Sequence, residues 1–370
     1  MTAIWSLTLT AVLSSTPLHA SAQTPQEPAA ASRPQQPIAP FPYQSSDVHF
    51  AGGQTGVNLA GVLTLPVTDE PVPAVILLAG SGRTDRDETF LDHKPMLVWS
   101  DALTRAGFAV LRYDKRGVGE STGDFRSASP LDFKADAQAA LAFLAGRPEI
   151  DGRRIAVVGH SEGGTVAALM AADPQAPAAV VSLAGMIAPF DEQIVVQELV
   201  TARDVGADAD YDTALRQAYQ KVFQALSLGG DAERLEAMQR ISTDWLAIFK
   251  SGPNATAAQD SLLAHPGLIA SRWFRTFVGL RVEEALASSA GPVLLVNGST
   301  DQQVDASANL AAAREALGRE TQMRRTVILP GLNHLFQESA SGSTGDYGSI
   351  SQTVSPSVIR EVIGFLADAM

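Results

Sequence analysis

The sequence predicts an α/β fold in which a mostly parallel sheet is covered by helices on both faces. Three observations support this. Short runs rich in Val, Ile, Leu and Ala recur along the chain, separated by segments with helical spacing of apolar residues. Most of these runs are apolar throughout rather than alternating, the pattern of strands buried on both faces. The chain has 370 residues, of which 45% are hydrophobic and 18% charged, enough to bury a sizeable core.

Residues 1–22 read as a secretory signal. Ala3 to Leu13 is apolar but too short to span a bilayer, and Ala20-Ser21-Ala22 forms an A-x-A cleavage site, although no Lys or Arg precedes the apolar run. Residues 23–42, rich in Pro, Gln and Ala without hydrophobic period, read as a tether. An edge hairpin is expected from Asp47 to Phe50 with Val57 to Leu65. Strands near 73–79, 108–113, 154–158 and 178–184 are separated by helices near 93–106, 131–145 and 162–173. The alternation resumes with strands near 292–297 and 324–329 and helices near 306–317 and 355–369.

Between these two stretches the pattern is helical alone. Phe190 to Val205, Tyr211 to Leu228, Ala232 to Lys250 and Ala257 to Leu280 read as helices, with breaks at Gly229-Gly230 and Ser251-Gly252-Pro253-Asn254. The organisation expected is a core of residues 43–186 and 287–370 with a helical cap, 187–286, inserted between two core strands. A separate helical domain is the alternative. Trp273, Phe274 and Phe277 could line a pocket, though aromatics on a helix more often pack in a core.

Gly159-His160-Ser161-Glu162-Gly163 follows the apolar run Arg154 to Val158 and opens a small-residue helix. Strand, G-x-S-x-G, helix is the arrangement of a nucleophile elbow, which holds a serine hydroxyl clear of the sheet. A serine needs an imidazole to take its proton and a carboxylate to hold that imidazole. The run Pro292 to Val296 ends in Asn297-Gly298-Ser299-Thr300-Asp301, and Arg325 to Leu329 ends in Pro330-Gly331-Leu332-Asn333-His334. Asp301 and His334 therefore fall in loops after late strands, in the order Ser, Asp, His. Asp305 is second choice for the acid, because it precedes Ala306 and reads as a helix cap. Of the six histidines, only His334 lies after a late strand in a Gly/Asn turn; the His160 side chain is expected to point away from the base position.

Acyl transfer also needs donors for a developing oxyanion. The expected pair is the backbone N–H of Glu162, at a helix N-terminus, and that of Ser81, with Gly82 as runner-up. Ser81 lies in the loop that follows Val72 to Leu78. Within that loop, Arg86 of Asp85-Arg86-Asp87-Glu88 is expected to pin the backbone through an ion pair, and Arg116 to organise loops beneath the site.

The net charge of −13 argues against a nucleic-acid partner and leaves no polybasic membrane anchor. The chain has no cysteine, so disulfides and thiol nucleophiles are excluded. No Cys/His cluster suggests a metal and no P-loop suggests a nucleotide, so no cofactor is expected.

Taken together, Gly80 to Arg86, Tyr113 to Ser121, Gly159 to Gly164, Trp273 to Phe277, Asn297 to Val304 and Leu332 to His334 resemble bacterial α/β-hydrolase esterases. The resemblance runs from about Val48 onward. It implies a serine carboxylesterase acting on short acyl esters, with Ser161 as nucleophile, Asp301 as acid and His334 as base. Arg83 stands where relatives often carry Pro, and Val278 to Val282 replaces an Asp-Pro segment, which leaves acyl and alcohol preference open. The expected ligand is a small-molecule ester, and the expected location periplasmic or secreted. A serine peptidase, thioesterase or acyltransferase with the same triad is the alternative. Oligomeric state is not legible.

Overall fold

β-branched and aliphatic segments assemble one sheet of eight strands, in a computed structural model that describes residues 33–370. The secretory signal expected at 1–22 and the first part of the tether lie outside the described residues. The hairpin β1 (Tyr43–Ala51) and β2 (Asn58–Pro66) is antiparallel, with Tyr43 opposite Pro66 and Ala51 opposite Asn58. The rest of the core runs β3 (Val72–Leu78), α1 (Pro95–Arg105), β4 (Ala109–Tyr113), α2 (Pro130–Ala145), β5 (Ile150–His160), α3 (Glu162–Met170) and β6 (Ala179–Leu183). An insertion of α4 (Phe190–Asp204), α5 (Ala209–Leu226), α6 (Asp231–Ile248), α7 (Ala255–Asp260), α8 (Pro266–Ile269) and α9 (Arg272–Gly279) follows. The chain returns through α10 (Val282–Ser288), β7 (Val293–Gly298), α11 (Ala306–Leu317), β8 (Arg324–Leu329) and α12 (Pro356–Ala369).

The strand order is β1-β2-β4-β3-β5-β6-β7-β8, with β2 antiparallel to β4 and all later pairs parallel. Strand pleating divides each central strand between two cores. Ala74, Ile76 and Leu78 of β3 belong to the core shared with α2, α3, α10 and α11, while Val75 and Leu77 belong to the core shared with α1 and α12. Side chains as buried as Ile76 and Leu63 contribute roughly 1.5–3 kcal/mol each. These faces fix the sheet, and with it the loops at the strand C-termini, where ligands bind in folds of this type.

Two expectations change. The helix read from Ala257 to Leu280 is broken into α7, a 3-10 turn at Leu262–Ala264, α8 and α9. Pro266 disfavours helical backbone at His265, which sits at φ −118°, ψ 72°. Ser261 and Ser271 then start new segments by accepting from the N–H of Leu263 and Phe274, each at 3.1 Å. The tether is also not free throughout. Arg33 donates to the carbonyls of Leu91, Gly348 and Ile350 at 2.8–3.0 Å, and Gln35 bonds Val354 O and the N–H of Thr353. These contacts are polar, so a hydrophobicity argument does not detect them.

The insertion has its own core, built on Phe190, Leu199, Tyr211, Leu215, Tyr219 and Trp245. Glu198 is buried in it, accepting from Ser261 Oγ at 2.5 Å and from Leu262 N–H at 2.7 Å. Burial outweighs these bonds and pushes the carboxyl from an ordinary 4.5 up to about 6. The folded chain then holds this proton more tightly than the unfolded chain. Stability should fall as pH rises through that window and stay lower above it, by about 2 kcal/mol. Glu198→Gln has no proton to lose. Its stability relative to wild type, from urea titrations at pH 4.5 and 7.5, should therefore rise with pH. A constant difference at the two pH values would contradict this.

Candidate active site

β5 ends at His160 and α3 begins at Glu162, so one residue turns the chain, and it is Ser161. Its backbone sits at φ 52°, ψ −119°, a region that costs a non-glycine residue on the order of 1–3 kcal/mol. The turn is tight enough to need glycine on both sides. A Cβ on Gly159 would lie 2.0 Å from Gly163 O, and one on Gly163 would lie 2.2 Å from Leu78 O. The Ser161 N–H donates to Leu183 O at 2.8 Å, which ties the elbow to β6.

Asp301 follows β7 and His334 follows β8. His334 Nδ1 lies 2.9 and 3.1 Å from the two carboxylate oxygens of Asp301. Asp301 Oδ1 also accepts from the N–H groups of Gln303 and Val304, each at 2.9 Å, so the carboxylate is fixed before it meets the imidazole. The two loops touch because Gly298 has no side chain: a Cβ there would lie 2.0 Å from Leu332 O. The Asp301 carboxylate accepts a hydrogen bond from Nδ1–H, so a neutral His334 presents Nε2 as an acceptor. Asp305 instead caps α11, accepting from Ala308 N–H at 2.7 Å.

Ser161 Oγ and His334 Nε2 do not share a hydrogen bond; such bonds often form only once substrate is bound. What joins elbow and base is His160. Its Nε2 contacts His334 O at 3.0 Å and its ring centroid lies 5.0 Å from that of His334. The ring therefore packs beside the base rather than pointing away from it. On its other side, His160 Nδ1 meets Glu88 Oε1 at 2.9 Å. Both ring nitrogens face acceptors, which suits the imidazolium. Burial pushes His160 down, but Glu88, the His334 carbonyl and the charge of Asp301 together hold it above its ordinary value.

Glu88 Oε1 also accepts the Gly80 N–H at 2.6 Å. Gly80 sits against the elbow, its would-be Cβ 3.3 Å from Ser161 Cβ. Among the described residues, neither the Ser81 nor the Glu162 N–H has an acceptor within the protein. Buried Lys115 donates from Nζ to Gly80 O at 2.5 Å and to Glu162 Oε2 at 2.6 Å, with its ammonium 4.7 Å from the Phe133 ring centre. The other oxygen of Glu162 accepts from Trp273 Nε1 on α9, so the insertion reaches the elbow directly. Phe274 and Phe277, in contrast, are buried in the insertion's own core.

Arg86 pairs with Asp114 at 2.7 Å and Glu120 at 2.5 Å. Burial pushes Asp114 up, but bonds from Arg86 and the Glu120 N–H hold its carboxyl below the usual range. Arg116 forms a bidentate pair with Asp136 at 2.7 and 2.8 Å and reaches Gln54 at 2.8 Å, joining α2 to the hairpin turn. Both arginines brace the loops, as expected of them. Sequence reasoning missed Glu88, His160 and Lys115 as parts of the site. The signal available was their place near segments already implicated: His160 ends β5, Lys115 lies two residues past β4, and Glu88 lies in the long loop that follows β3. A small cavity at the end of β3 is lined by Leu77, Tyr113, Lys115, Phe133, Glu162 and Val166.

Among the described residues no helix is long and apolar enough to cross a membrane. Comparison with known proteins adds lineage to this geometry. The esterase EstD of Thermotoga maritima is 27% identical over 313 residues, covering 83% of this chain and 63% of that protein, so the chain spans less than two thirds of this relative. An esterase of Pyrococcus furiosus superposes with a TM-score of 0.52 at 16% identity, over 88% of this chain and 93% of that one. A hypothetical protein of Pseudomonas aeruginosa gives 0.52 at 19% identity, over 95% and 100%. Est1E of Butyrivibrio proteoclasticus, solved with ferulic acid, gives 0.51 at 19% identity, over 87% and 98%. Likeness at these identities establishes the α/β-hydrolase fold. Residues 55–334 match the X-Pro dipeptidyl-peptidase (S15 family) description, and with three quarters of its length inside that match the chain belongs to this family.

Proposed function

We propose that the protein is a serine hydrolase of carboxylic esters with short acyl groups. The observation that carries this reading is the His334–Asp301 pair, bonded at 2.9 Å, standing beside a serine held in strained backbone. Ser161 Oγ attacks the ester carbonyl carbon while His334 Nε2 accepts its proton. The carbonyl oxygen gathers negative charge against the N–H groups of Ser81 and Glu162. Collapse breaks the bond to the alcohol, which leaves with the proton from His334. Water then attacks the acyl-enzyme by the same path, releasing the acid and restoring Ser161. The esterase relative supports the ester reading.

The family description favours a second reading, a peptidase that releases dipeptides. Such an enzyme must hold the protonated amine of its substrate, commonly with a carboxylate. The carboxylates near Ser161 already face a partner that carries or shares a proton: Asp301 faces His334, Glu88 faces His160 through Oε1, and Glu162 faces Lys115, although Oε2 of Glu88 is buried without a hydrogen-bond partner. This charge pairing supports the ester over the peptide, with Glu88 the one carboxylate that keeps a free oxygen for an amine. The decisive experiment combines fluorophosphonate labelling, mapped by peptide mass spectrometry, with relative kcat/KM on p-nitrophenyl esters, acyl thioesters and X-Pro anilides. Label on Ser161 with ester turnover foremost is expected. Anilide turnover foremost would select the peptidase, and product analysis with a competing alcohol would reveal an acyltransferase.

We read the helical insertion as a cap over this site, in keeping with the Trp273–Glu162 contact. We also read residues 1–22 as a cleaved signal that sends the protein to the periplasm or outside the cell. Intact-mass measurement of the exported protein should then give an amino terminus at Gln23.

A further inference from the structure

We infer that Lys115 is the positioning residue of the oxyanion hole, orienting both of its donors at once. This rests on the serine-hydrolase reading above and adds to it a residue outside the triad and the donor pair. The argument starts from the peptide group. The Gly80–Ser81 bond is trans, so its carbonyl and its N–H point in opposite directions. Lys115 Nζ holds Gly80 O at 2.5 Å and thereby turns the Ser81 N–H away from itself. The Gly80 N–H, in the preceding Ala79–Gly80 peptide unit, is held independently by Glu88 at 2.6 Å, so the backbone is tied on both sides of Gly80. The Ser81 N–H is left without a protein acceptor, beside a residue whose would-be Cβ lies 3.3 Å from Ser161 Cβ.

The same ammonium holds Glu162 Oε2 at 2.6 Å. Glu162 supplies the second N–H from the first turn of α3. Its carboxylate would otherwise be a negative charge next to a developing oxyanion; paired with Lys115, and bonded to Trp273 on its other oxygen, it is neutralised and fixed. Lys115 is itself only 7% exposed and lies against the Phe133 ring, so it has no solvated alternative position. One buried cation therefore sets the spacing between two backbone donors, one in the loop after β3 and one at the start of α3. Donors of this kind act through preorganisation, so loosening them should raise the barrier without weakening ground-state binding.

The test is Lys115→Met, with rates normalised to active sites titrated by a fluorophosphonate, so that unfolded material does not count. The expected result is a kcat per site lower by about 100-fold or more, with KM changed by less than about twofold. An alkylboronic acid, which adds Ser161 Oγ to boron and places an anionic oxygen in the hole, should lose affinity by a similar factor. A variant with wild-type kcat per site overturns the proposal. So does a variant that loses kcat but binds the boronate as wild type does, because Lys115 would then act elsewhere. If Lys115→Met gives no folded protein, Glu162→Gln releases one arm of the clamp with the same shape. About tenfold parallel losses in kcat and boronate affinity are then expected, and wild-type values for both overturn the proposal. Wild-type protein that neither labels at Ser161 nor turns over esters is a distinct result, and removes the functional reading together with this one.

Discussion

Ser161→Ala should lower kcat by about 10⁶-fold while leaving the fold intact. The size follows from the role: without the hydroxyl there is no acyl-enzyme, and the remaining donors can only polarise a carbonyl toward attack by bulk water. The alanine keeps a Cβ in the same strained turn at φ 52°, so little stability should change. Ser161→Gly is the informative companion. It should be equally inactive yet more stable, by about 1 kcal/mol, because glycine occupies that region freely. Active-site titration, ester hydrolysis and thermal melts on the three proteins give the comparison. Alanine protein with more than about a thousandth of wild-type kcat would take the nucleophile role from Ser161.

Asp301→Asn should cost about 10⁴-fold in kcat with KM nearly unchanged. The asparagine oxygen can still accept from the N–H groups of Gln303 and Val304, as Asp301 Oδ1 does at 2.9 Å, so the loop should hold. Its NH₂ group then faces His334 Nδ1, now 2.9 Å from an oxygen. That nitrogen is forced to become the acceptor, and the ring proton moves to Nε2, which must be free to take the proton of Ser161. The geometry survives while the tautomer is wrong. A loss smaller than about tenfold would end the assignment of Asp301 as the acid. Asp305 is not a ready substitute, since its carboxylate already caps α11.

Much of this architecture was legible because it rests on local signals. The strand runs are apolar on both faces, and their positions fix which loops lie at the strand C-termini. Ser161, Asp301 and His334 each lie in such a loop, so their meeting could be argued from order and placement alone. The network beneath them could not. Glu88 lies in a run, Asp85 to Glu88, that reads as solvated or as one ion pair, and Lys115 beside Arg116 reads as a charged turn. They become interior residues only because the Gly80 backbone and the side chains of His160, from β5, and Glu162, from α3, satisfy them. Hydropathy assigns each charge to water and has no means of anticipating a partner so distant in sequence. The broken helix around Pro266 is a different failure. The proline is visible in the sequence, and its bias against helical backbone at His265 is the local signal that this segment breaks.

Trp273 and Leu280 pack against both the core of the sheet and that of the insertion, while most other side chains of the insertion's core stay on their own side. Two cores joined by so few shared residues can drift at different rates. Substitutions among the inserted helices can remodel the insertion without unsettling the strands that carry Ser161, Asp301 and His334. A graft that brings helices from a homologue onto this scaffold would need to retain the indole at 273, because it belongs to both partners in the exchange.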